Sequence, residues 1–120
     1  MTLSDLQWQH LQNIAVLVLY AARRGWKLTQ GRSKQYPGDV HYTPTSQHNK
    51  ALANDLNLFK WRDMEVMSGW QYVSSTEEHR ELGEFWESLS PHSRWGGRFE
   101  DGNHYETLEA SRDTSPERWA

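Results

Sequence analysis

The chain reads as an α+β fold, a small single domain of two main helices packed on a short antiparallel sheet. Three observations predict it. Apolar residues recur at helical spacing near the N-terminus and again after residue 80. Residues 51–59 alternate leucines with Asn and Asp, as a half-buried strand does. Clusters of Gly, Pro, Ser, Thr and Asp break the remainder into short pieces. A length of 120 residues allows one modest core, and the domain is placed at 1–110 with a polar tail over 111–120.

Ser4 is expected to cap a helix running from about Asp5 to Arg24. Leu6, Leu11, Ile14, Leu17, Val18 and Ala21 would form its core face, and Gly25 would stop it. Trp26 to Gln47 reads as loops with one short strand around Val40 to Tyr42. In the strand Ala51 to Phe59, Leu52, Leu56 and Leu58 are the apolar positions. Glu65 to Val73, with Gly69 inside it, reads as a hairpin or loop. Ser75-Thr76-Glu77-Glu78 has the form of a capping box and opens a second helix. That helix carries Leu82, Phe85, Trp86 and Leu89 on one face and ends before Pro91. Trp95-Gly96-Gly97 reads as a tight turn and His104 to Leu108 as the last strand.

Composition removes several function classes. The net charge is -3, with 13 basic and 16 acidic residues interspersed, so no basic stripe exists to neutralise a phosphate backbone and nucleic acid is excluded as a partner. With no cysteine there is no disulfide, thiolate metal site or thiol nucleophile. A transition metal would have to be held by imidazole and carboxylate, and the chain offers six histidines. The longest apolar run, Ile14 to Ala22, is about half the length that spans a bilayer, so no stable membrane association is expected. Asp5 stands where a signal peptide would carry positive charge, and no small-residue cleavage site follows before Arg23. Synthesis in the cytoplasm and a monomeric state are the corresponding expectations.

Two stretches carry chemistry: Ser46 to Asp55, and Asp101 to Glu106. A catalytic zinc ion takes three protein ligands and keeps one open position. His48 and Asp55 are separated by an odd number of residues, which on one strand would point them to opposite faces. They converge only if His48 sits on the loop entering the strand and Asp55 within it. His104, from the far end of the chain, would be the third ligand. Asp101, across a Gly-Asn turn from His104, is placed to act as a general base without ligating. Glu106, two residues after His104, shares its strand face and could orient an imidazole. The bland reading is that such a histidine is a surface or capping residue and that Asp101-Gly102 is an ordinary turn. Asp55 among apolar neighbours is the exception, since a buried carboxylate needs a cation or several donors. His10, His79 and His92 fall on helices or a helix end and are read as non-ligands, whereas His41 is the rival ligand.

At these residues the chain resembles the M15 family of zinc peptidases. That family holds D-Ala-D-Ala carboxypeptidases and dipeptidases, and phage L-alanyl-D-glutamate endopeptidases. Its first motif is Ser-x-His-x-x-Gly-x-Ala-x-Asp; Ser46, His48, Ala53 and Asp55 match it, with Ala51 in place of the glycine. Its second is an acid, two residues, His, then an aromatic and Glu, matched by Asp101, His104, Tyr105 and Glu106. The stretches Leu82 to Leu89 and Trp95 to Phe99, and the helix followed by Gly25-Trp26-Lys27-Leu28-Thr29, also resemble phage members, so the likeness covers about residues 3–108.

The resemblance implies Zn2+ held by His48, Asp55 and His104, with Ser46 and Glu106 around the ligands and Asp101 as the base. It also implies an upstream arginine steadying substrate. Arg32 is the one arginine in the corresponding loop, at a shorter spacing from His48 than the pattern has, and Trp95 would line the cleft. The implied activity is hydrolysis of peptidoglycan stem peptides, at the bond from L-Ala to D-Glu, by a phage endolysin-like enzyme acting at the bacterial cell wall after release. The rival readings are a D-Ala-D-Ala carboxypeptidase or dipeptidase, and a non-catalytic zinc-stabilised wall-binding or structural module.

Overall fold

The computed structural model describes residues 1–31 and 47–112. The elements run α1 (Leu3–Arg23), β1 (Lys27–Gln30), β2 (Ala53–Arg62), β3 (Gly69–Val73), α2 (Arg80–Ser88), β4 (Ser93–Trp95) and β5 (His104–Thr107). Short 3-10 turns precede α2 (Glu77–His79) and follow β4 (Gly96–Phe99). The α+β class is as expected. Among the described residues no helix is long and apolar enough to cross a membrane.

The first helix begins earlier than expected, because Thr2 and not Ser4 caps it. The Thr2 hydroxyl accepts from the Asp5 amide (3.1 Å) and the Asp5 carboxylate from the Thr2 amide (3.0 Å). Gly25, at φ 76°, ends the helix as anticipated. Its buried line is Leu6, His10, Leu17 and Ala21, so Leu11 and Val18, expected in the core, instead face solvent. At α2 only half of the anticipated capping box forms. Ser75 Oγ accepts from the Glu78 amide (3.2 Å), while the Glu78 carboxylate bonds Arg62 (3.1 Å).

All strand pairs are antiparallel, in the order β1-β2-β5-β4, with β3 also on β2. β2 organises the sheet. Residues 56–59 pair with β1 along one edge; along the other, residues 53–55 pair with β5 and residues 58–62 with β3. β1 and β4 were read from sequence as loop and turn, where their few residues show no alternation. The expected strand around Val40 to Tyr42 lies outside the described residues.

The side chains of β2 divide between two faces. Leu56 and Leu58 join Leu17, Ala21, Val73, Leu82, Trp86, Trp95 and Tyr105 in the core under the helices. Asp55, Asn57, Phe59 and Trp61 alternate with them and lie on the opposite face. Trp95 is the centre of the core at 1% exposure. Its indole N–H donates to the Gly102 carbonyl (2.7 Å), and two glycines clamp its ring: a Cβ on Gly83 would meet Trp95 Cδ2 at 2.0 Å, and one on Gly97 would meet Cη2 at 2.2 Å. Trp95 therefore lines no cleft, contrary to its assignment to substrate contact; the glycines after it serve packing.

Glu87 closes the far end of α2. Buried, it accepts from Arg98 Nε (2.6 Å) and Nη2 (2.7 Å) and from the Trp95 amide (2.9 Å). Arg112, placed by sequence in the tail, approaches the same carboxylate (3.3 Å) and donates to the carbonyls of Ser90 (2.6 Å) and Ser93 (3.1 Å), so it belongs to the fold.

Gly83→Ala should reverse the usual preference of helices for alanine. Propensity alone would stabilise by about 1 kcal/mol, but the overlap with Trp95 should destabilise by about 3 kcal/mol or more. Gly69→Ala, with nothing within 4 Å of its added carbon, is the matched control and should change little in denaturant unfolding.

Candidate metal centre

The site is assembled by strand register and one turn. In the β2–β5 ladder Asp55 is the direct partner of His104, so both side chains rise from the same face as neighbours. His48 arrives from the turn over residues 47–51 that feeds β2, the loop position its spacing from Asp55 required. That turn closes like a helix C-terminus. The Leu52 amide donates to the Gln47 carbonyl (2.8 Å) and the Ala51 amide to that of His48 (3.1 Å), with Ala51 left-handed at φ 59°. It is also tied down from outside: Gln47 Nε2 donates to the Thr107 carbonyl (2.7 Å), and Gln7 Nε2 to that of Lys50 (2.9 Å).

Three ligand atoms meet. His48 Nε2 lies 3.1 Å from His104 Nδ1 and 3.3 Å from Asp55 Oδ1, and His104 Nδ1 lies 3.2 Å from the same oxygen. A small divalent ion bound tetrahedrally at about 2.0–2.1 Å separates its ligands by about 3.3–3.4 Å. The observed triangle is thus close to one face of such a tetrahedron. The two imidazoles are buried and Asp55 is 29% exposed, which puts the opening on the Asp55 side. A groove of about 660 Å3, bounded by Gln7, Leu11, Gln30 and Asn54, reaches His48.

The chemistry of the donor set points the same way. His104 Nε2 lies 2.7 Å from Glu106 Oε1, and a carboxylate can only accept there, so this nitrogen carries the proton. The Glu106 carboxylate is itself held by Arg94, its cross-strand partner. This leaves His104 Nδ1 to present either a lone pair or a second proton toward Asp55 and His48. A carboxylate facing two imidazole nitrogens calls for a metal ion or a proton between them. Without a metal, a proton on His104 fills that place. Burial works to lower the His104 pKa, but bonds to Asp55 and Glu106 outweigh it and carry the pKa up to about 9. Asp55 is the counterpart. Burial would raise its pKa, yet the two histidines hold it down to about 2. Burial likewise opposes ionisation of Glu106, and His104 and Arg94 keep it below the ordinary carboxylate range. The site can bind a metal ion by exchanging that proton for it.

The remaining residues separate cleanly. Asp101 lies on the exposed turn before β5; its carbonyl accepts from the His104 amide (3.1 Å), and its carboxylate is not among the converging ligand atoms. His10, His79 and His92 are engaged elsewhere. His10 bonds Thr107 Oγ1 (2.8 Å) and Asn54 Oδ1 (2.7 Å), His79 the Val73 carbonyl (2.9 Å) and His92 that of Leu108 (2.8 Å). Arg32, Ser46 and His41 lie outside the described residues. Sequence reasoning missed Arg94 and Phe99. The half-exposed Phe99 ring sits 5.6 Å from that of His104, with the Arg94 guanidinium 5.2 Å above it. The signal for Arg94 was the need of Glu106 for a cation on its own face, which only the unrecognised β4 supplies.

Neither a protein-family model nor a curated protein matches this chain.

Two outcomes test the site. Metal binding must expel the His104 proton, so below about pH 9 the apparent affinity should rise with pH, approaching tenfold per unit, with one proton released per ion. Calorimetry in buffers of different ionisation enthalpy measures both. Ala51→Gly should stabilise the protein by about 0.5–1 kcal/mol by relieving the left-handed alanine, while metal affinity is retained.

Proposed function

We propose that this protein is a zinc-dependent peptidase acting on the peptide stems of peptidoglycan, cutting between L-Ala and D-Glu in the manner of a phage endolysin. The observation that carries the reading is the convergence of His48, Asp55 and His104, from a turn and two strands, on one ion-sized triangle. Two imidazoles and one carboxylate with no thiolate suit zinc in a catalytic setting. The left-handed Ala51 adds independent support, because the M15 motif has glycine at that position and a left-handed backbone is what glycine tolerates best. The His104–Glu106 pair fits as well, being the carboxylate partner that metal-bound histidines ordinarily have.

When bound, zinc supplies Lewis-acid polarisation of a peptide carbonyl and acidification of water. The chain's own groups supply the rest. Asp55, His48 and His104 would hold the ion; Glu106 and Arg94 hold the His104 ring in one orientation and one tautomer. Asp101, on the turn leading into His104, takes the proton of the attacking water on its carboxylate and returns it to the departing amine. Phe99, beside His104 and open to solvent, gives the substrate an apolar wall.

Chelation should abolish lysis of purified cell walls and added zinc should restore it. Asp101→Asn should lower the rate by about 10²–10⁴-fold with zinc affinity retained. Mass spectra of the digest should show newly freed amino termini on D-Glu; released D-alanine would instead make the protein a carboxypeptidase. Lysis that persists in excess chelator rules out the metal mechanism.

A further inference from the structure

The first helix has two apolar faces, and the sheet uses one of them. Leu6, His10, Leu17 and Ala21 are buried, whereas Trp8 (61% exposed), Leu11 (60%), Val18 (42%) and Leu19 (60%) stand on the far side. Trp8, Leu11, Ala15, Val18 and Ala22 follow one another at alternating steps of three and four residues, the spacing of a helix that packs lengthwise against another helix. Ala15 and Ala22 are exposed too. α2 does not cover this seam, since it meets α1 through Tyr20, stacked on Phe85 at 4.1 Å, and through Arg24, paired with Glu81.

The seam is complementary to itself. In an antiparallel pair centred on Ala15, Trp8 of one copy faces Ala22 of the other, and Leu11 faces Val18. Large residues meet small ones at the ends, and two alanines at the centre let the backbones approach closely. That is the pattern of an isologous two-fold contact. Charge agrees with the direction. Asp5 and Arg23 flank the same edge of the seam near opposite ends, so antiparallel packing brings each beside its opposite on the second copy, and the two helix dipoles oppose. A membrane surface would select a polar opposite face rich in lysine and arginine, but on α1 the opposite face is the core side.

We propose that two copies of this chain associate through α1, antiparallel about Ala15, in place of the monomer expected from sequence. The contact runs along the outer face of α1, and at Leu11 it borders the groove that reaches His48.

The chain has no cysteine, which makes the register testable with single substitutions. The zinc-loaded protein should sediment at twice the 14.1 kDa chain mass in a concentration-dependent way. Leu11→Glu should return it to a single-chain mass with an unchanged circular dichroism spectrum, because Leu11 is 60% exposed and takes no part in the core. Ala15→Cys should cross-link to itself under mild oxidation much faster than Glu84→Cys, an exposed control on α2. Trp8→Cys should cross-link in mixture with Ala22→Cys and not alone. A single-chain mass up to millimolar concentration overturns the proposal. So does a dimer that survives Leu11→Glu, or one in which Ala15→Cys cross-links no faster than the control.

Discussion

The pairing of β2 with β5 in a single register decides whether this protein has a site at all. Asp55 and His104 are distant in sequence and become nearest cross-strand neighbours only because residues 53–55 meet residues 104–106 in that alignment. A slip by one residue would send one of the two side chains into the hydrocarbon core and bring a core residue out. The register is held by what lies beneath it. Leu56 and Tyr105 must stay inside with Trp86 and Trp95, and the Trp86 indole bonds the Glu106 carbonyl (3.1 Å). The same alignment sets Glu106 beside the His104 ring and Arg94 beside Glu106, so one ladder places two ligands and the two charges behind them.

His48 is brought in differently, by a turn with its own internal logic. Two crossed carbonyl bonds and a left-handed Ala51 reverse the chain, and side chains of Gln7 and Gln47 fix the turn to α1 and β5. Electrostatics then makes the centre selective for positive charge in either state. Asp55 and the two imidazoles face one point, with Glu106 on the far side of the His104 ring, so the cluster favours a proton or a metal ion there. In zinc fingers the core is too small to stand without metal. Here the core under the helices is built from residues that do not ligate.

Much of this was legible in the sequence, and the reasons for the rest are local. Long periodic segments declared themselves: α1 through Leu6, Leu17 and Ala21, the leucines of β2, and α2 with Leu82 and Trp86. The convergence of His48, Asp55 and His104 was readable because an aspartate inside an apolar strand demands a cation and because the spacing of His48 required a loop. β1 and β4 were not readable, being too short to display alternation, and without β4 the partner of Glu106 could not be named. The two faces of α1 were merged into one, since Leu11 and Val18 fall at helical spacing from core residues yet lie on the other side. Trp95 was misjudged because a tryptophan beside two glycines reads as an exposed turn, whereas Gly97, with Gly83 on α2, is small to make room for its ring.

The alternation of β2 separates what keeps the protein folded from what it does. Even-numbered positions from 54 to 58 face the helices, and odd ones from 55 to 61 face outward, Asp55 with the candidate metal centre. Change on the outward side is therefore cheap for the fold: a different ligand set or a recast binding surface can drift there while the inward leucines stay as they are. A scaffold divided in this way leaves its chemistry free to diverge among descendants whose buried halves remain interchangeable.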